Sequence, residues 1–341
     1  MTSKSASIRA LSALLLFPLA GCESRPQAWG EANAVIVVAH DTLWRQVGDS
    51  VMAALEPTIQ TVRDERTFNV TWVSPYDSSF VTLRKFKQLL SIGAATDPWV
   101  EPLAEAGRNT PYVTDETDVW ANDQLVTGIV VEPTSPVPSV LATLPEVAVR
   151  IDSLYRLWAV RRMFLSDPDT ARRTRLAAEG GFTLLLPTVY REERRDSLWI
   201  FENWAEVRGN EIRRTITVAS KPGVDTTTST ERALAWRGQV VSTYVEPQQP
   251  DPEQLSRRLL TVAGTQAFEV QGVWTTDFGG VPAAGPFITR IVACPAQDRT
   301  YLVDAWLYAP ARGSKYEYMV QLQTLLNTFR CGTEVAPSPI R

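Results

Sequence analysis

The chain has 341 residues, 44% of them hydrophobic and 21% charged, the balance of a globular protein and not of a disordered one. Its net charge of −4 supplies no general basic surface for phosphate, which argues against nucleic acid as a partner. Three cysteines and one histidine leave neither a zinc site of the usual ligands nor a haem, so no metal and no cofactor is expected.

Lys4 and Arg9 form a positive n-region, Ala10 to Leu19 is a short apolar run, and Leu19-Ala20-Gly21-Cys22 closes it as a bacterial lipoprotein cleavage site. The apolar run is too short to span a bilayer, which takes about 20 residues. The expectation is a signal peptide over residues 1–21 and a lipid on Cys22 that makes the membrane a partner. The body then faces the periplasm or the cell surface. Glu23, in place of Asp after the cysteine, favours the outer membrane over the inner. Cleavage leaves 320 residues, 32 of them basic and 38 acidic, a net charge of −6 and a length suited to two domains. With Cys22 lipidated and the polar stretch to residue 33 read as a flexible tether, the reach is about 20 Å. Cys294 and Cys331 then remain, and in an oxidising compartment they are expected to pair; the alternative is two separate buried thiols.

Ala34 to Ala39 is a continuous apolar run that reads as a buried strand ending at His40-Asp41. An amphipathic helix follows over 43–62, with Pro57 as a kink or an end. Further strands are predicted at 68–73, 88–92 and 124–131, with a turn at 74–79 and a short helix to Lys85. Gly93, Pro98, Pro102, Gly107 and Pro111 leave 93–118 largely as loop. After the break at Pro133 to Pro138, a long helix carries Val147, Ile151, Leu154 and Trp158 as one apolar stripe. Arg150, Arg156, Arg161 and Arg162 lie mostly on its other side, and Arg172, Arg173 and Arg175 continue the basic run. That run reads as a solvated face or as a contact with anionic head groups.

Ser166 to Asp169 mark a boundary, so the expected domains are 34–166 and 167–332, with a disordered tail over 333–341. The second half is predicted to hold a basic helix ended by Gly180-Gly181, strands at 182–187, 197–205, 214–219, 268–275, 286–293 and 301–308, and a helix over 228–244 capped by Ser229. Its last helix repeats Tyr318, Leu322, Leu325 and Phe329 and stops at Cys331-Gly332. The fold class is α+β: two domains, each a mainly antiparallel sheet with helices packed on it.

Several short motifs recur in a recognisable order. They are Gly30-Glu31 before Val35 to Val38, Asp41-Thr42-Leu43-Trp44 with Val47-Gly48-Asp49, and Val119-Trp120-Ala121 with Gln124 and Val126. In the second half they are Gly181-Phe182 to Pro187, Trp199 to Asn203, Gly272-Val273-Trp274, Gly285-Pro286-Phe287, and Tyr308-Ala309-Pro310 before Lys315. In these the chain resembles a family of bacterial envelope lipoproteins known as a domain of unknown function. The resemblance covers essentially the mature chain and implies a lipid anchor and a two-domain α+β body, with no activity and no catalytic residues to carry over. His40 departs from the acidic residue expected there, and the Cys294, Cys331 pair is not a feature of that family. The second half is also loosely similar in fold to photosystem-associated and nuclear-transport accessory proteins.

Catalytic constellations are sparse. His40 has no serine elbow to serve, and a turn or surface role suits it better. Glu101 with Glu105, or Asp115 with Glu116 and Asp118, supply carboxylates whose separation the sequence leaves open. The candidate binding stretch is Trp274 to Phe287, where Asp277-Phe278-Gly279-Gly280 and Gly285-Pro286-Phe287 bracket a turn with glycines and aromatics, and His40 and Asp41 form a second candidate. A structural hairpin with Trp274 and Phe287 in the core is the competing reading. The expected function is a membrane-anchored, non-catalytic binding or assembly module whose partner is an envelope protein, a glycan or a lipid. The alternative is a carboxylate-based hydrolase acting on cell-wall or carbohydrate substrate.

Overall fold

The computed structural model describes residues 25–339 except 208, 209, 226, 263 and 279. The signal peptide, Cys22 and Gly279 therefore lie outside the described residues. Five strands build the first sheet: β1 (Ala34–Val38), β2 (Asn69–Val73), β3 (Gln88–Gly93), β4 (Tyr112–Thr117) and β5 (Leu125–Val130). They lie in the order β2-β1-β3-β5-β4, and helices α1 (Asp41–Leu55) and α2 (Pro136–Met163) pack on one face.

Every residue of β1 after Ala34 is committed to a core. Val35 and Val37 pack with Val47 and Val51 of α1, while Ile36 and Val38 turn to the other face against Trp99, Val100 and Leu103. Burial on both faces is what a continuous apolar run encodes, and it goes with strands joined by crossover helices. The α+β class expected from the sequence is the one observed. In detail, β2, β1, β3 and β5 pair in parallel, and only β4, on the edge, is antiparallel. An apolar run reports burial and is silent on direction.

Three local expectations change. The segment 93–118 contains β4, whose half-exposed, acidic end at Asp115-Glu116 hides it from an apolar pattern. Helix α1 ends at Leu55, two residues before Pro57, and a small hairpin (Thr58–Gln60 with Asp64–Arg66) takes the place of its predicted last turns. The tether is also shorter than expected. Arg25 and Pro26 carbonyls accept from Asn122, Ala28 N–H donates to Asn122 O, and Trp29 exchanges backbone hydrogen bonds with Lys85 and Lys87.

The second sheet is antiparallel throughout: β6 (Arg191–Arg195), β7 (Leu198–Val207), β8 (Asn210–Pro222), β9 (Ser256–Val262), β10 (Thr265–Phe278), β11 (Val281–Cys294) and β12 (Arg299–Tyr308). The path runs β10-β11-β12-β8-β7-β6, with β9 and the two-residue strand Gln249–Pro250 both beside β10. Helix α3 (Thr170–Gly180) precedes it and is ended by Gly181 at φ 70°, a left-handed stop. Of the strand expected at 182–187, Phe182–Thr183 pairs with Arg330–Cys331 and Pro187 forms an isolated bridge with Pro168, while Leu184 to Leu186 are buried without a ladder partner strand. Helix α4 (Thr230–Val241), capped by the Ser229 hydroxyl, covers one face with Trp274, Phe287 and Trp306. Helix α5 (Tyr316–Asn327) covers the other with Leu322, Leu325 and Leu326.

Cys294 and Cys331 are bonded, with Cα atoms 5.8 Å apart, so the expected disulfide ties the chain after α5 to the end of β11. Beyond it, the Thr183 hydroxyl donates to Glu334 O and Ala336 is buried, which holds part of the segment expected as a disordered tail. Helices α2 and α5 join the two halves. Tyr155 and Tyr316 stack at 5.2 Å, and Arg162 pairs with Glu317 at 3.0 Å. Elsewhere the basic run of α2 and α3 is paired locally, Arg150 with Asp115 and Glu146, Arg156 with Asp152, and Arg172 and Arg175 with Glu192.

Candidate functional site

The N-terminal ends of β1 and β3 do not close against the second half. Between them, the C-terminal turns of α2 and the loop before α5 lies a cleft of about 1190 Å³. A second arm of about 610 Å³ continues from it toward Gln27 and Asp123, and Ala32, Lys87, Tyr155 and Trp158 line both. Clefts of this size at a junction of domains are common ligand sites.

The floor is set by strand geometry. Asn33 immediately precedes β1, and Gln88 opens β3, where it pairs in register with Val35. Both side chains are at least nine-tenths buried, and Asn33 Nδ2 and Gln88 Oε1 have no hydrogen-bond partner among the described residues. An unsatisfied buried polar atom costs about 1–3 kcal/mol; these two belong to a wider set of such side-chain atoms among the described residues, and they are the ones at the strand ends beside the cleft. The wall is aromatic: Trp158 is half-buried, with the Tyr155 ring at 5.7 Å and the Arg162 guanidinium 5.3 Å from its own ring centre.

Part of the charge in the wider arm is arranged in pairs, while Glu31, Arg63, Asp64 and Arg312 line it without a salt bridge among the described residues. Glu65 accepts from the Lys315 backbone and ammonium, each at 2.6 Å. Glu317 accepts from Arg162; burial pushes its carboxyl up, against the pull of Arg162, Arg214 and Arg312. Lys87, half-buried where the arms meet, makes no salt bridge among the described residues. No three His, Cys, Asp or Glu side chains among the described residues are grouped to hold a metal ion.

The residues singled out by sequence fall elsewhere. Trp274 and Phe287 are fully buried beneath α4, so the aromatics anticipated at a recognition loop are core. The loop itself is the tight end of the β10–β11 hairpin, where Asp277 accepts from Gly280 N–H and Gly280 takes φ 93°. Gly285 has a packing role, since a Cβ there would meet the Leu307 carbonyl at 1.8 Å, and neighbouring Pro286 pairs with Val273. Of Phe278 only its backbone place in β10 is described. The hairpin does border the cleft, through Thr275, Thr276 and Pro282 to Ala284.

His40 and Asp41 lie at the opposite, C-terminal end of β1. The His40 ring accepts from Thr42 N–H as the cap of α1, and Asp41 accepts from the Ser74 hydroxyl at 2.7 Å, which lowers its pKa. Capping accounts for His40, and the contact with the Ser74 loop accounts for Asp41. Of the candidate carboxylates, Glu105 pairs with Arg108 and Asp115 with Arg150, and Asp118 borders the narrower arm.

Asn33, Gln88 and Tyr155 carry no site signal in the sequence, and Trp158 of the predicted apolar stripe packs partly against the core and also lines the cleft. One signal was present. Val140, Leu144, Val147, Ile151, Tyr155 and Ala159 already give α2 a complete buried face, which leaves Leu154 and Trp158 as surplus apolar residues that line the cleft.

No curated protein matches the chain in sequence. Among solved structures, it is similar to the Ran-binding protein Mog1p of Saccharomyces cerevisiae at 13% identity and a TM-score of 0.31, covering 45% of this chain and 90% of that one. LpqN of Mycobacterium tuberculosis, a protein involved in cell envelope biogenesis, matches at 9% identity and 0.28, covering 43% and 79%. A Bacteroides thetaiotaomicron protein matches at 12% and 0.25, covering 44% and 45%. Scores this low connect the chain to none of these proteins' activities. Residues 28–142 match the family described as domain of unknown function DUF8532, and residues 169–328 match domain of unknown function DUF4837. Together the two matches cover most of the chain, one in each half.

Proposed function

We propose that this protein is a lipid-anchored, non-catalytic binding module of the bacterial cell envelope, and that its ligand occupies the two-armed cleft between its halves. The observation that carries the reading is the two-armed cleft, with a buried amide in the lining of each arm, Asn33 in the wider and Gln88 in the narrower, each with one side-chain atom unpartnered among the described residues. Buried polar atoms are normally satisfied, and a ligand is what would satisfy these.

The anchor fits the same geometry. Gln27 and Glu31 line the cleft, and the chain is held from Arg25 onward. The three residues from Cys22 to Arg25 reach at most about 10 Å. A lipid on Cys22 therefore brings the cleft close to the bilayer, where an envelope ligand is concentrated.

Photo-crosslinking amino acids placed in cells at Glu31 and Arg161, one on each arm, are expected to capture the same envelope component, whereas Trp204, exposed on β7, is not. Capture from Trp204 alone, or none from either arm, overturns the cleft as the site. Labelled palmitate is expected on the wild type and absent from Cys22→Ser; label that persists in the variant contradicts the anchor.

A further inference from the structure

Resting on the cleft as the binding site, we infer that its ligand is an oligosaccharide bearing a carboxylate, gripped by Asn33, Gln88, Trp158 and Lys87. Four observations converge. Asn33 presents an unpartnered donor and Gln88 an unpartnered acceptor, both neutral and both buried. A sugar hydroxyl donates and accepts at once, so a run of hydroxyls satisfies the two senses together. An acyl chain would leave both amides unsatisfied and so would be selected against.

Trp158 lines both arms, at the middle of the cleft. The face of an aromatic ring is negative, and the C–H face of a pyranose, whose hydrogens carry partial positive charge, packs on it while the ring hydroxyls stay free for the amides. Lys87 supplies the charge preference. It is half-buried where the arms join and has no acidic partner among the described residues; Arg162 and Lys315 are occupied by Glu317 and Glu65, and Arg63, Arg161 and Arg312, also without a salt bridge, line one arm each, whereas Lys87 lines both. A carboxylate on the sugar is the group that Lys87 lacks.

A peptide also offers donors and acceptors. Its common docking mode on a sheet is addition along an edge strand, and here the cleft meets β1 and β3 at their ends, inside the sheet. The geometry favours a ligand read by side chains, not by a backbone ladder.

The test uses the full chain, with four probes measured by calorimetry. They are peptidoglycan glycan strands stripped of peptide, which carry carboxylates; chitotetraose, which is neutral; a mixed-sequence acidic heptapeptide; and vesicles containing phosphatidylglycerol. The stripped strands are expected to bind, chitotetraose about tenfold more weakly, and the peptide and vesicles not measurably. Lys87→Gln should erase the difference between the two glycans. Trp158→Ala should weaken both at least tenfold.

Asn33→Leu and Gln88→Leu separate a binding role from a structural one. Each should lose roughly tenfold in affinity while its thermal midpoint stays level or rises, because an orphaned polar atom has left the interior. Equal binding of the two glycans, binding of peptide or vesicles in their place, or Leu variants that bind like the wild type would each overturn the inference. So would Leu variants that lose stability together with binding. If the glycans fail while crosslinkers at Glu31 and Arg161 still capture an envelope component, the glycan inference falls and the cleft remains the site. If those crosslinkers also capture nothing, the cleft itself is wrong.

Discussion

Arg237→Met is expected to destabilise the protein by about 3–5 kcal/mol, the usual cost of leaving one member of a buried ion pair behind. Arg237 projects from α4 into the face of the second sheet, and both it and Asp304 of β12 are fully buried, Nε to Oδ1 at 3.0 Å. Thr289 donates to the same carboxylate oxygen, Gln248 accepts from the guanidinium, and the Phe287 ring lies 4.2 Å beneath it. Removing the cation strands Asp304 with Thr289 alone. Urea unfolding should show a lower midpoint at an unchanged slope, and Arg237→Met with Asp304→Leu should recover most of the loss, because the desolvated charge is then gone as well. A single variant that loses less than about 1 kcal/mol would mean that the pair is not holding α4 to the sheet.

Gly285→Val is expected to cost about 3 kcal/mol or more, at or beyond the upper end of ordinary overpacking. Gly285 lies on β11 opposite Trp274, where the β12 backbone turns in. A Cβ would stand 1.8 Å from the Leu307 carbonyl and 2.9 Å from the Trp274 ring. The carbonyl belongs to a paired strand and cannot swing aside as a flexible side chain can. The Trp274, Trp306, Phe287 cluster beneath α4 should loosen with it, so near-ultraviolet dichroism is the companion measurement to the unfolding midpoint. A variant with wild-type stability and an unchanged tryptophan signal would contradict the close approach.

Of the two predictions, one falls on a residue that the sequence placed in another role and one on a residue that it did not single out, and the reasons are physical. Gly285 and Phe287 stood out as a flexible recognition turn because glycine beside aromatics is the pattern of a loop; it is also the pattern of two backbones meeting over a large ring. Arg237 was unremarkable, since a cation on a helix is normally solvated and only its place opposite Asp304, 67 positions away, buries it. Periodicity found β1, α4, α5 and the long strands of the second sheet because each buries a regular face. It passed over β4, whose acidic end is half-exposed, and it could not give the direction of β1, β2 and β3, which follows from connection and not from burial.

The cleft was hidden for a related reason. Asn33 and Gln88 are single amides at strand ends, without spacing or company in the sequence, and they become a pair only when β1 and β3 lie side by side. Trp158 was visible but assigned to the core, since a tryptophan at helical spacing is usually packed. Once Val140 to Ala159 has filled the buried face of α2, the same residue is left at the wall of an opening. The disulfide was legible because few cysteines leave few pairings, and the structure joins Cys294 to Cys331.

The most direct test of the cleft as the working site is hydrogen exchange on the anchored protein in isolated envelopes, set against the purified soluble Cys22→Ser form. Slowed exchange is predicted at residues 31–33, 87–88 and 312–318, with α4 and the β6–β7 edge unchanged. Slowing confined to the His40 and Tyr76 end of the first sheet, or absent from the cleft, would contradict it.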